Sequence, residues 1–268
     1  MKTYKESFEA LKSKKEGALI AFTVIGDPNY KTSLEITKKI VDAGADMLEL
    51  GLPFSDPIAD GKTIQAADIR ALNSGINTDQ VFNFVRDLRK YTDIPIGFLS
   101  YANLVYQRGI EKFHSDSKKS EINSILIADM PIEESDIILK EAEDNSIDTI
   151  FMISPLTSDD RIKKIAEKTS GFIYAVSRLG VTGAKENLEK STLSLIKRIR
   201  RFTNKPICVG FGISKPIHAK NVIKEGADGV IVGSAIVNLI AKNINNKEKM
   251  LGYIYNYVKN MKSGTRII

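Results

Sequence analysis

The sequence predicts an α/β protein of the (β/α)8 TIM-barrel class, with an extra helix at the N-terminus and helical insertions. Short apolar runs of strand length recur eight times along the 268 residues. Several of these runs are apolar throughout rather than alternating, as strands buried on both faces of a parallel sheet are. Each is followed by an amphipathic stretch, so strand-then-helix units succeed one another without a break. Eight such units favour a closed barrel. An open doubly wound sheet usually has fewer strands, and no GxGxxG follows the first run. Barrels of this class reach this length as one unit, and no Pro/Gly-rich linker or low-complexity segment interrupts the chain, so residues 1–268 are expected to form a single domain.

The expected strands are Leu19–Ile25, Met47–Gly51, Ile94–Leu99, Ser124–Ala128, Thr149–Ile153, Phe172–Ser177, Ile207–Phe211 and Gly229–Val232. The charged stretch before Leu19 reads as an extra helix over the barrel bottom. Thr32-Ser-Leu-Glu35 has the form of a capping box opening the first barrel helix. Ala66–Leu72 reads as a helical insertion between the second strand and its own helix. Leu193, Ile196, Ile199 and Phe202 recur every third residue, and Met250, Leu251, Ile254, Tyr257, Val258 and Met261 mark one face of a last helix. Ser214-Lys-Pro216 offers a cap and a proline at another helix start. Ala43-Gly-Ala-Asp46 and Glu225-Gly-Ala-Asp228 echo one another before the second and eighth strands, a shared turn chemistry in which glycine ends a helix.

Apolar residues make up 43% and charged residues 27%, the balance of an ordinary globular chain. Cys208 is the one cysteine, so no intramolecular disulfide forms, which suits a reducing cytoplasm. The first eight residues hold charges and no apolar run, unlike a secretory signal, and no stretch approaches a membrane span. The net charge is +6, and the pI is about 9.1. The lysines are scattered among acids on solvated helix faces, and no basic stripe with interleaved aromatics suggests nucleic acid.

Active sites of such barrels lie at the carboxyl ends of the strands. The residues found there are Phe22 and Asp27, Glu49, Asp56 and Asp60, Tyr101 and Asn103, Asp129, Ser154, Tyr174 and Arg178, Gly210-Phe-Gly212, and Gly233-Ser234. Gly180-Val-Thr-Gly183, Gly210-Phe-Gly-Ile-Ser214 and Gly233-Ser-Ala235 follow three neighbouring late strands. Glycines there let backbone N–H groups approach an anion, and a helix N-terminus adds a favourable dipole. Tight turns alone would also use glycine, but three such segments side by side favour a phosphate site.

In Met47-Leu-Glu-Leu-Gly51 the alternation sends the leucines out to the helices and Glu49 into the barrel mouth. A carboxyl there loses hydration, its pKa rises, and it suits general acid/base work. A structural acid would need an inward arginine or lysine, and no expected strand carries either. Pro53–Gly61 is an irregular loop with Asp60 placed to reach over the site. From composition alone Asp56 and Asp60 read equally well as solvated turn residues. A Schiff-base mechanism lacks a strand lysine. His114 and His218 lie in helical stretches and are expected on the surface, so a histidine-rich metal site is not expected. Cys208, inside a strand, reads as a buried apolar residue.

Gly26-Asp-Pro28, Ala43-Gly-Ala-Asp-Met-Leu-Glu-Leu-Gly51, Pro53-Phe-Ser-Asp-Pro57, Ala59-Asp-Gly61, Tyr101-Ala-Asn103, Ser177-Arg-Leu-Gly-Val-Thr-Gly183, Gly210-Phe-Gly-Ile-Ser214 and Gly233-Ser-Ala-Ile-Val237 resemble the α subunit of tryptophan synthase. The resemblance runs in order along nearly the whole chain, and Glu-Leu-Gly-x-Pro-Phe-Ser-Asp-Pro followed by Ala-Asp-Gly is its specific part. It implies a lyase that cleaves indole-3-glycerol phosphate, by a retro-aldol step, to indole and glyceraldehyde 3-phosphate. Glu49 then matches the principal acid/base, and Asp60 the carboxylate that accepts the indole N–H. Tyr174 matches a tyrosine that lines the site and assists as a third catalytic residue. The resemblance implies a pocket for indole from Phe22, Leu99, Leu126 and Phe211, with Tyr101 also at the substrate. Phosphate falls to Gly183, Gly212, Gly233 and Ser234, and Thr182 bonds Asp60 on loop closure.

The resemblance also implies an α2β2 complex in which two α subunits cap a dimer of β subunits and indole passes between them. It implies no cofactor in this chain, pyridoxal phosphate belonging to the partner β subunit. Pro53–Gly61 and the Asn103 region resemble the contacting surface, where an exposed apolar patch is expected. One departure is Lys62, where many members have proline; losing the fixed φ is expected to loosen the Asp60 loop, and the lysine is a candidate partner for Asp60 or the phosphate. A stand-alone lyase, a non-catalytic phosphate-binding regulatory subunit, and a different phosphate barrel of the histidine or tryptophan pathway are the rival readings.

Overall fold

The structure, a computed structural model, describes residues 1–176 and 185–266, the side chains of 185–190 excepted. The described elements run, in chain order, α1 (Tyr4–Ser13), β1 (Ala18–Val24), α2 (Tyr30–Asp42), β2 (Met47–Gly51), α3 (Lys62–Asn73), α4 (Thr78–Arg89), β3 (Ile96–Ser100), α5 (Ala102–Arg108), α6 (Ile110–Lys119), β4 (Ser124–Ile127), α7 (Asp136–Asp144), β5 (Asp148–Thr149), β6 (Phe151–Ile153), α8 (Asp159–Lys168), β7 (Ile173–Val176), α9 (Lys185–Arg200), β8 (Ile207–Gly210), α10 (Pro216–Lys224), β9 (Gly229–Val232), α11 (Ser234–Lys242) and α12 (Lys247–Ser263).

All strand pairings are parallel. The order is β5-β4-β3-β2-β1-β9-β8-β7-β6. The two ends of that order are neighbours in sequence: β5 and β6 are halves of one barrel strand, separated by Ile150, with β5 paired to β4 and β6 to β7. The ring is therefore closed, with eight barrel strands, as the sequence predicts. Apart from Glu49, β1, β2, β8 and β9 are buried end to end by apolar, glycine and threonine residues, since helices cover one face and the barrel interior the other.

Element boundaries shift for local reasons. β3 starts at Ile96 rather than Ile94, because Pro95 has no N–H to give to a ladder. β8 stops at Gly210, because Phe211 and Gly212 turn into the left-handed region (φ 69 and 73). Ser177, the expected end of the sixth strand, lies outside the described residues. The expected insertion is α3, four residues longer at its start than the sequence suggested.

Two expected caps are corrected. The first barrel helix opens at Tyr30, and the cap is Asn29, whose side chain accepts the Thr32 N–H; Thr32 and Glu35 lie inside the helix. At α10, Pro216 takes the first helical position as expected, but Lys215 is the boundary residue and no side chain caps the helix. The N-terminal helix does close the barrel bottom. Its Thr3/Glu6 capping box is complete, Tyr4 meets Phe172 edge-on at 5.4 Å, and the Tyr4 hydroxyl reaches Ser124 Oγ at 2.8 Å on the barrel floor. One helix face of Met250, Ile254, Val258 and Met261 seats α12, and Ile196 and Ile199 seat α9 as their spacing suggested.

His114 is a further correction: it is fully buried, not on the surface. Its Nδ1 donates to the Ile110 carbonyl at 2.7 Å, the ring meets Phe113 edge-on, and Nε2 has no partner. Helical placement misled here because α6 turns a mixed face of Phe113, His114 and Ser117 inward. His218 is half-buried. Cys208 is buried in β8 as expected.

Candidate active site

A cavity of about 180 Å³ opens at the carboxyl ends of the strands. Glu49, Phe22, Leu99 and Tyr174 line its depth, Asp60, Gly61 and Ile64 one side, and Phe211 to Ser214 with Gly233 to Ala235 the other. Larger clefts of about 1000 and 730 Å³ lie at the opposite end of the barrel, both against α1 and the larger one also against α12. They hold none of the strand-end residues, so the smaller cavity is the candidate site.

Phe22 stands beside Glu49 in register, and Glu49 beside Gly97 on the other flank. Glu49 is 5% exposed, and its Oε2 has no hydrogen-bond partner. Burial, reinforced by the nearby Asp60 charge, pushes its pKa up to about 8. Asp60 is also raised by burial, but the Tyr101 hydroxyl donates to its Oδ2 at 2.6 Å and holds it back. One carboxyl without a donor and one with a donor face each other, the arrangement that separates an acid from a base.

The Asp60 loop is built from several small ties. Tyr101 stacks on Phe54 with centroids 5.0 Å apart, and its hydroxyl accepts the Ala59 N–H at 3.2 Å. The Gln65 side chain donates to the Asp60 carbonyl at 2.8 Å. Burial and the Asp60 bond push the Tyr101 hydroxyl up, so it stays a donor. Asp56 is exposed, and among the described residues its carboxyl is bonded by Ser55 alone, so the two acids that composition could not separate part company here. Lys62 is the exposed first residue of α3 and forms no ion pair with Asp60; the tyrosine holds that place.

Gly210, Gly51 and Gly233 have a use the sequence did not reveal. A Cβ on Gly210 would lie 2.4 Å from the Tyr174 ring, and one on Gly51 or Gly233 within 2.9 Å of Phe22. These glycines make room for the two rings that wall the cavity. The phosphate reading keeps separate support. Gly233 and Ser234 open α11, whose first N–H groups have no partner within the helix, and Gly212 has φ 73. Phe211 is 46% exposed at the rim and meets Tyr174 edge-on at 6.4 Å.

Of the residues singled out in sequence, Glu49, Asp60, Tyr174, Phe22, Leu99, Phe211, Gly212, Gly233 and Ser234 come together around the cavity. Tyr101 and Leu126 are 2% exposed and do not line it; Tyr101 reaches it through Asp60, and Leu126 stands beside Leu99 in register. Thr182, Gly183 and Arg178 lie outside the described residues. Asp27 is tied by Arg70 in two bonds of 2.7 and 2.8 Å, which fastens α3 to the end of β1. Sequence reading missed Asp68, 3% exposed in α3. The signal was present: Ile64, Ala67, Asp68 and Ala71 form one buried stripe, with an acid inside it. Among the described residues no cluster of His, Cys, Asp or Glu is suited to hold a metal ion, and no helix is long and apolar enough to cross a membrane.

The family model described as tryptophan synthase alpha chain matches residues 8–266. The chain is 46% identical over 246 residues to the tryptophan synthase alpha chain of Methanothermobacter thermautotrophicus, covering 92% of this chain and 91% of that one. It is 47% identical over 257 residues to that of Methanoregula boonei, covering 96% of each. Among solved structures, the tryptophan synthase α2β2 complex of Pyrococcus furiosus superposes with a TM-score of 0.86 at 36% identity, covering 93% of this chain and 99% of that one. With the closed barrel and the paired carboxyls at its mouth, these likenesses establish that the chain belongs to the tryptophan synthase alpha chain family.

Proposed function

We propose that this chain, working as one domain, is a lyase that cleaves indole-3-glycerol phosphate to indole and glyceraldehyde 3-phosphate in tryptophan biosynthesis. The observation that carries the reading is Glu49: a buried carboxyl with an unpartnered oxygen, facing Asp60 in one cavity at the strand ends. In the proposed retro-aldol step, Glu49 delivers a proton to indole C3 and takes one from the glycerol hydroxyl next to the breaking carbon–carbon bond. Asp60 accepts the indole N–H and stabilises the positive charge that develops on the ring when C3 is protonated. The Tyr101 bond supports Asp60 as the ionised partner, and burial supports Glu49 as the proton carrier near neutral pH.

Phe22, Leu99 and Tyr174 suit an indole ring, with Leu126 beside Leu99 in register and Phe211 at the rim. Gly212, Gly233 and Ser234 suit the phosphate; Gly183 and Thr182, assigned by resemblance, complete the proposal. The cavity of about 180 Å³ suits the bicyclic ring, with the phosphate at the open rim. The proposed partner is a tryptophan synthase β subunit in an α2β2 assembly, with pyridoxal phosphate on the β side. The Pyrococcus furiosus relative is such a complex. Ile58 in the Asp60 loop and Leu156 after β6, both more than four-fifths exposed, suit the docking face. Cytoplasmic location is proposed with them, since tryptophan biosynthesis draws on cytoplasmic metabolites.

The test is indole release from indole-3-glycerol phosphate by the purified chain, alone and with a β subunit. Slow release alone and strong stimulation by the partner are expected. Full turnover without a partner would favour a stand-alone lyase. No release under either condition by folded protein would sink the lyase reading.

A further inference from the structure

The turn after β8 has an unfavourable backbone shape. Phe211 and Gly212 are consecutive left-handed residues, with φ 69 and 73, and Phe211 carries a Cβ that this region disfavours. Such a turn persists only where its surroundings fix it. Two side chains that do not line the cavity hold this one. The His218 ring, on the third residue of α10, places its Nδ1 3.3 Å from the Gly212 carbonyl oxygen and 3.4 Å from the Ser214 nitrogen. The Tyr257 hydroxyl, from α12, donates to the Ser214 carbonyl at 3.1 Å. Because α12 packs on both α10 and α11, the tie joins the turn to the same frame that carries the Gly233–Ser234 helix start.

We infer that His218 and Tyr257 are positioning residues for substrate binding: they hold the 211–214 turn so that its unpaired N–H groups meet the substrate phosphate. The inference rests on the lyase reading given above. Among the described residues the N–H groups of Gly212 and Ile213 have no hydrogen-bond partner, and both residues line the cavity. Those two donors are what the turn offers an anion. The Ser214 carbonyl is taken up by Tyr257, on the side away from the cavity. His218 can serve in either of two roles. With its proton on Nε2, Nδ1 accepts the Ser214 N–H; with a proton on Nδ1, it donates to the Gly212 carbonyl. Either bond fastens the turn to α10. Both side chains therefore act on the phosphate through the backbone of the turn, without touching substrate.

The test compares the wild-type full chain with His218→Leu, His218→Asn and Tyr257→Phe, each assayed with a β subunit and indole-3-glycerol phosphate. Folding is checked by thermal melting. His218→Leu and Tyr257→Phe each remove one tie to the turn, and KM is expected to rise about threefold to tenfold in each. The kcat should stay within about twofold, since neither residue contacts Glu49 or Asp60 and the loss is one of uniform binding. His218→Asn presents an amide oxygen and an amide nitrogen, so it can fill either role of Nδ1; its KM is expected to return to within about twofold of wild type. A folded His218→Leu or Tyr257→Phe with wild-type KM would overturn the assignment of that residue. A fall in kcat at unchanged KM, or failure of His218→Asn to restore KM, would overturn the inference as well. If His218→Leu does not fold, Tyr257→Phe, which loses a single oxygen, decides. A wild-type chain that releases no indole with the β subunit would overturn the lyase reading instead, a distinct outcome.

Discussion

Replacing Glu49 by glutamine should stabilise the fold, by an amount that depends on pH in a defined way. In the unfolded chain the Glu49 carboxyl loses its proton near the ordinary value of 4.5, whereas the folded protein holds it until about 8. Between those values the unfolded state binds fewer protons, so wild-type stability falls as pH rises. The loss is about 1.4 kcal/mol per pH unit, which reaches about 3 kcal/mol at pH 7 and about 4 kcal/mol at pH 8, then levels off near about 5 kcal/mol. Glutamine does not titrate and escapes this slope. Its buried amide adds an offset that is the same at every pH, so the informative quantity is the difference in unfolding free energy against pH. Urea titrations of wild type and Glu49→Gln between about pH 3.5 and pH 9.5 measure it. The difference should be flat below 4.5, grow toward 8 in favour of the variant, and then plateau. A difference independent of pH would refute the claim that burial keeps Glu49 protonated.

Gly210→Ala places a methyl 2.4 Å from the Tyr174 ring. It should cost about 1–3 kcal/mol in a urea titration and lower indole release about tenfold or more by moving Tyr174; a variant equal to wild type in both would contradict the packing. Lys62→Pro puts proline at the first residue of α3, a position that suits its φ and needs no N–H. It should raise stability by about 0.4–1 kcal/mol in the same titration, and a loss would count against that placement. Burial holds the folded pKa of His114 below its ordinary 6.5, so the unfolded state takes up a proton first and stability falls as pH drops from 6.5. The slope is at most about 1.4 kcal/mol per unit. His114→Phe should remove that part of the acid slope, and an unchanged slope would show that His114 is not its source.

The barrel was legible because its strands are continuous apolar runs and its helices carry one-sided stripes, signals that survive without tertiary knowledge. Glu49 was legible for the same reason, as one acid on the inward face of Met47–Gly51. The glycine segments were legible as a pattern but ambiguous in purpose. Gly233 and Gly212 remain candidates for phosphate, whereas Gly210 and Gly51 make room for Tyr174 and Phe22, which requires knowing which rings cross the barrel. Asp56 and Asp60 could not be separated by composition, because the difference is a hydroxyl 41 residues away in sequence, on Tyr101. The caps at Asn29 and Lys215 went astray because several polar residues precede each helix and only the backbone turn selects among them. His114 and Asp68 failed for one shared reason: both are polar residues on a helix face that packs inward, where residue type points to solvent and position points to the core.

The central claim is that the Glu49 and Asp60 carboxyls carry the cleavage. Single-turnover indole formation from indole-3-glycerol phosphate, with the chain bound to a β subunit, tests it most directly when wild type is set beside Glu49→Gln and Asp60→Asn. The account predicts losses of about 10²–10⁴ in the chemical step for Glu49→Gln and a substantial loss for Asp60→Asn, with substrate still bound. Indole formation by folded Glu49→Gln at the wild-type rate would contradict it.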